Sequence, residues 1–99
     1  MSYRPLPTEV TIKTSDIEGV GLFSTCAIQE GTNLGMTHYK AHEVTDGLVR
    51  TPLGGFINHS EEPNCELIGI GKGKYLIVNK DIMPEEELTI TYTLYKVKV

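Results

Sequence analysis

Phe56-Ile57-Asn58-His59-Ser60-Glu61-Glu62-Pro63-Asn64-Cys65 is the stretch on which the reading of this 99-residue chain turns. An apolar pair runs straight into adjacent Asn and His, and Pro63-Asn64 closes the segment. Asn58 carries both donors and acceptors, and with the backbone of His59 it has what is needed to meet an adenine edge or an amino-acid moiety. Taken alone, the same residues read first as a polar turn whose side chains satisfy nearby backbone groups.

Downstream, Leu67, Ile68 and Ile70 lead into Gly71-Lys72-Gly73, and the apolar run Tyr75-Leu76-Ile77-Val78 returns, so residues 65–80 are predicted to form a β-hairpin. Pro84 with Glu85-Glu86-Glu87 marks an exposed turn. After it Leu88, Ile90, Tyr92 and Leu94 alternate onto one strand face. Tyr92 reads there as a core aromatic whose hydroxyl needs a partner. The apolar parity changes in Tyr95-Lys96-Val97-Lys98-Val99, which a bulge or strand end near Leu94 or Tyr95 explains.

Upstream, residues 9–14 alternate with period two and are rich in β-branched side chains, predicting a strand with Val10 and Ile12 facing inward. It ends at Ser15-Asp16. Glu18-Gly19-Val20-Gly21-Leu22-Phe23 follows as a glycine-spaced turn, which is either an ordinary turn or a place where the backbone approaches a ligand closely. A Rossmann reading fails, since the third glycine and the opening helix are both missing. Leu22 to Ile28 and Thr32 to Ala41 read as extended, separated by Gln29-Glu30-Gly31, and Ala41 to Val49 has room for a short helical turn. The chain is therefore predicted to be mostly β, with short strands and no internal repeat.

Composition agrees with one folded unit spanning residues 1–99. A hydrophobic fraction of 39% and a charged fraction of 22% lack the signature of disorder. The formal net charge of -4 carries no basic nucleic-acid footprint, so direct nucleic-acid binding is not expected. Cys26 and Cys65 are too few for a disulfide framework and form no C-x-x-C pair. Neither a signal-like apolar start nor a bilayer-length apolar run is present, predicting a soluble intracellular protein, cytoplasmic or nuclear, without a membrane partner.

Taken together, three segments resemble the SET-domain family of protein-lysine methyltransferases. Gly19-Val20-Gly21-Leu22-Phe23 matches the family's N-terminal signature, and Ala27-Ile28-Gln29-Glu30-Gly31 its turn into the next strand. Phe56 to Asn64 matches the central Phe-x-Asn-His-Ser-x-x-Pro-Asn. Asp81-Ile82 with Glu86-Glu87-Leu88-Thr89-Ile90-Thr91-Tyr92 matches the C-terminal one. The resemblance implies a β-clip fold in which the C-terminal segment tucks under an earlier loop as a pseudoknot, joining the second and third signatures. It further implies S-adenosylmethionine as cofactor, bound by Glu18, Gly19, Val20, Asn58 and His59, with Tyr92 beside the transferred methyl as catalytic residue and cofactor contact. Tyr39 stands where some members carry another tyrosine of the lysine channel. The implied partner is a protein presenting a lysine, and a basic tail would suit the net charge of -4.

Several positions depart from the family pattern. Glu85 stands where glycine is common before Glu-Glu-Leu, and Thr93-Leu94 follows Tyr92 where glycine is frequent. The segment from Ala41 to Leu53 is short, and no cysteine cluster follows Tyr92. The substrate channel would then need another wall, which a second copy in a homodimer would supply. Two other readings remain open at this point. One is a catalytically silent SET-like module that binds a protein partner. The other is a metal site built from His38, His42 and His59, which no carboxylate or cysteine completes.

Overall fold

The computed structural model describes residues 6–40 and 48–91. Its elements are β1 (Val10–Thr14), β2 (Val20–Ser24), β3 (Asn33–Lys40), β4 (Leu48–Arg50), α1 (Pro52–Gly55), β5 (Asn58–His59), β6 (Cys65–Ile70), β7 (Gly73–Val78) and β8 (Glu87–Ile90). They form two four-stranded sheets, one in the order β1-β2-β8-β5 and the other in the order β4-β3-β7-β6. The mostly β fold expected of a SET domain is the fold observed.

Local chemistry accounts for the hairpins. β1 and β2 pair from Val10↔Ser24 to Thr14↔Val20, and the Ser15 N–H donates to the Gly19 carbonyl at 2.8 Å to close their loop. β6 and β7 pair up to Ile70↔Gly73, leaving Gly71-Lys72 as the turn, with Gly71 in the left-handed region at φ 59°. One pairing is different in kind. β5 and β8 run parallel, Asn58 opposite Thr89 and His59 opposite Ile90, and parallel neighbours need a long crossover. The β6–β7 hairpin, which belongs to the other sheet, is part of that crossover, so closing the β5–β8 pair also brings the two sheets together.

Leu22, Leu76 and Leu88 are fully buried in the core between the sheets, with Val78 and Ile82 beside them. Asn64 fastens this junction. Its Oδ1 accepts from the Thr89 N–H at 2.9 Å, while its Nδ2 donates to the Glu87 carbonyl at 2.9 Å and to Oε2 of Glu86 at 3.2 Å. The amide thus stands in for a neighbouring strand along β8. Asn64→Asp keeps the acceptor but turns an oxygen toward two other oxygens. A buried polar group deprived of its partner costs roughly 1–3 kcal/mol, and we expect a loss of that size in urea unfolding with no change of m-value.

Some expectations fail for definable reasons. Ile12 does not face inward; it is 37% exposed, because β1 is an edge strand whose cover ends after Val10. The extended stretch expected from Leu22 to Ile28 ends at Ser24, and Ile28 keeps only an isolated bridge to Ile82. Leu48 and Val49 lie in a strand rather than a helical turn, while residues 41–47 lie outside the described residues. The helix comes later, at α1, where Thr51 caps the Gly54 N–H, Pro52 suits the first turn and Leu53 is buried. α1 sits so close to β3 that a Cβ at Gly54 would lie 2.5 Å from the Thr37 carbonyl oxygen. Leu94, the expected bulge beside it and the C-terminal part of the expected pseudoknot fall outside the described residues. Among the described residues no helix is long and apolar enough to cross a membrane.

Candidate active site

The loop between β1 and β2, strand β5 and the start of β8 converge on one hydrogen-bonded cluster. The Ser15 hydroxyl donates to Glu87, its oxygen lying 2.8 Å from Oε1 and 2.9 Å from Oε2. Nδ2 of Asn58 lies 2.9 Å from Oε2 of Glu87 and 3.1 Å from the Ser15 oxygen. The same nitrogen reaches the carbonyls of Glu18 and Val20, each at 3.2 Å. Two N–H groups are therefore shared among four acceptors, which draws the loop carbonyls inward. The Ser15 oxygen in turn accepts the Ile17 N–H at 2.9 Å and the Glu18 N–H at 3.4 Å. Gly21 leaves the room for this arrangement, since a Cβ there would overlap Oε2 of Glu87 and lie 3.0 Å from Nδ2 of Asn58.

Of the residues singled out in the sequence, Glu18, Val20 and Asn58 are joined directly, and Gly19 lies between the first two with its carbonyl bonded to the Ser15 N–H. Glu18, Gly19 and Val20 remain exposed, so a ligand can reach the loop. His59 is half-buried beside Ile90. Tyr92 lies outside the described residues. Its predecessors are placed, however: the Ser60 N–H donates to the Ile90 carbonyl at 2.9 Å, and the Thr91 hydroxyl donates to the Ser60 carbonyl at 2.7 Å. The segment leading to Tyr92 therefore runs alongside the central signature.

Tyr39 is not part of this cluster. It stands in the other sheet, 41% exposed, and lines a depression of about 640 Å³ together with Met36, Arg50, Pro7, Leu34 and Leu53. His38, its neighbour, is buried, with Nδ1 2.9 Å from the Thr37 oxygen. The Thr37 hydroxyl also donates to the Lys74 carbonyl at 3.1 Å. Burial holds the His38 imidazole below its ordinary pKa, and the charges of Arg50 and Lys74 push in the same direction. His38 and His59 belong to different sheets, and His42 lies outside the described residues.

Sequence reasoning missed Ser15 and gave Glu87 no role. The first looks like a strand end and the second like one of several turn carboxylates; their contact spans 72 residues. Glu85 shows what its departure from glycine entails, because it holds φ 65°, a region a side chain enters at a cost.

The two cysteines are both unpaired, and their surroundings differ. Cys26 is exposed, whereas Cys65 is fully buried and burial, with Glu86 and Glu66 nearby, pushes its thiol up to about 12. In native protein at pH 8 a maleimide is expected to label Cys26 alone. Peptide mapping that found Cys65 modified at a comparable rate would contradict this packing.

A two-sheet β fold that lays a central Asn-His strand parallel to a C-terminal strand, with a glycine-spaced loop braced between them, defines the class. The SET-domain family model matches residues 35–93, more than half of the chain, and the chain belongs to that family. Solved structures agree in fold. A Plasmodium falciparum protein described as a candidate histone methyltransferase aligns with a TM-score of 0.69 at 18% identity, covering 88% of this chain and 95% of its own. The methyltransferase domain of human PR domain-containing protein 2 gives 0.68 at 22% identity, covering 86% of this chain and 77% of its own. A humanized Chaetomium thermophilum Polycomb Repressive Complex 2 gives 0.70 at 21% identity, covering 87% of this chain and 15% of its own. No curated protein sequence matches the chain.

Proposed function

We propose that this chain is an S-adenosylmethionine-dependent protein-lysine N-methyltransferase. The observation that carries the reading is the Asn58 amide, which ties the exposed Glu18–Val20 loop to the strand pair that leads to Tyr92. The chemistry of the site suits the donor. Its rim is rich in acceptors, namely the loop carbonyls and the Glu87 carboxylate, and S-adenosylmethionine carries an ammonium and a sulfonium. Glu18, Gly19 and Val20, with Asn58 and His59, would hold it. When bound, it supplies an electrophilic methyl group.

The rest falls to the chain's own residues. A lysine amine has an ordinary pKa of about 10.4, so under about 1% is neutral at pH 7, and only the neutral form has a lone pair to attack with. A narrow apolar passage for the substrate side chain would disfavour the ammonium form. Tyr92 would orient the amine through its hydroxyl toward the donor's methyl group, and positioning of this kind supplies much of the rate. Tyr39, Met36 and Arg50, at the depression of the second sheet, border the approach of the substrate chain. The net charge of -4 suits a basic substrate segment.

Calorimetric titration with S-adenosylmethionine tests the reading, with saturable binding at one site per chain expected. No heat of binding at millimolar donor would remove it. Binding without transfer to any protein substrate would leave a silent module instead.

A further inference from the structure

We infer that Ser15 is a positioning residue of the methyl-donor site, acting through Glu87 and Asn58; the inference rests on the function proposed above. Its hydroxyl is the joint at which three remote parts of the chain meet. The proton is directed at Glu87 in β8, while the oxygen accepts from Asn58 in β5 and from the Ile17 and Glu18 N–H groups of its own loop. Two of these partners, Asn58 and Glu87, are the groups that shape the donor loop. Asn58 draws in the Glu18 and Val20 carbonyls, and Glu87 holds the other side of the Asn58 amide.

Removing the hydroxyl leaves every partner in place but without a common anchor. The Glu87 carboxylate loses its donor at 2.8 Å and the Ile17 and Glu18 N–H groups lose their acceptor. Among the described residues no other group donates a hydrogen bond to Oε1 of Glu87. The loop then samples conformations in which its carbonyls no longer face Asn58, and donor affinity falls by the fraction of time the competent form is lost. The chemical step is expected to be unaffected once the donor is bound, since the Ser15 hydroxyl meets β8 only at its first residue, Glu87, and hydrogen-bonds to neither Ile90 nor Thr91. A donor-affinity defect with intact turnover is therefore the mark of this role.

The experiment compares wild type, Ser15→Ala and Ser15→Thr in calorimetric titration with S-adenosylmethionine and in steady-state kinetics, with circular dichroism melting as a check of folding. Ser15→Ala is expected to raise the donor Kd and KM about 10-fold, within what one lost charge-assisted hydrogen bond carries, while kcat stays within about 2-fold. Ser15→Thr keeps the hydroxyl and is expected to restore both to within about 3-fold, which a purely steric or folding defect would not do. In the free protein, amide exchange at Ile17 and Glu18 should accelerate in Ser15→Ala and return toward wild type in Ser15→Thr. Wild-type donor affinity in Ser15→Ala, or a Ser15→Thr variant as weak as Ser15→Ala, would overturn the role of Ser15 alone. No donor binding by wild type would overturn the proposed function and this role with it.

Discussion

Tyr92→Phe is expected to lower the turnover of lysine methylation about 100-fold while leaving donor affinity within about 2-fold, the pattern of a lost orienting group rather than a lost binding contact. Ile90 pairs with His59, and Thr91 bonds to Ser60, so the segment carrying Tyr92 is led along the central signature until one residue before it. A phenol would fix an amine in line with the donor through its hydroxyl, whereas a phenyl ring would offer no such hydrogen bond. Single-turnover kinetics separate the two effects. Unchanged turnover would take Tyr92 out of the reaction, and a parallel collapse of donor binding would make it a binding residue only.

Asn58→Ala is expected to act on the other half of the site. Its amide nitrogen lies within 3.2 Å of four acceptors, and truncation leaves the Glu18 and Val20 carbonyls and the Glu87 carboxylate without that donor. The loop they shape then loses its bracing. Donor affinity should fall at least about 10-fold, equivalent to roughly 1.4 kcal/mol, and the melting temperature should drop as well. Calorimetry on the variant checks the first and circular dichroism the second. Wild-type affinity with a lowered melting temperature would mean that Asn58 serves the fold and not the donor.

How much of this was legible before the structure depends on the range of each contact. The β6–β7 hairpin was readable because its signal is local: two apolar runs flank Gly71-Lys72, and turn chemistry alone sets the register. The shared face of Leu88 and Ile90 followed from alternation for the same reason, and both residues are buried. Ile12 has the same alternation yet is exposed, because a period of two says which residues share a face and not how far the opposing layer extends. α1 escaped notice since its four residues include two glycines and its helical state comes from the Thr51 cap and the burial of Leu53.

The candidate site divides in the same way. Asn58, His59 and the glycine-spaced loop stood out only through their joint order along the chain, each one alone reading as a turn. The physical reason they work together, the hydroxyl of Ser15 against the carboxylate of Glu87, spans 72 residues and has no periodicity to betray it. Parallel pairing of β5 with β8 was likewise invisible to local patterns, as two residues of strand carry almost no propensity signal. Tyr39, which the family resemblance put in the lysine channel, lies in the second sheet beside a depression.

The most direct measurement is chemical identification of the acceptor. The chain is incubated with S-adenosylmethionine labelled in its methyl group and a mixture of proteins with basic tails, and the labelled protein is hydrolysed to amino acids. Label recovered as N-methylated lysine, present with wild type and strongly reduced with Tyr92→Phe, is the expected result. Label on another amino acid, or none above a control lacking the chain, would contradict the assignment.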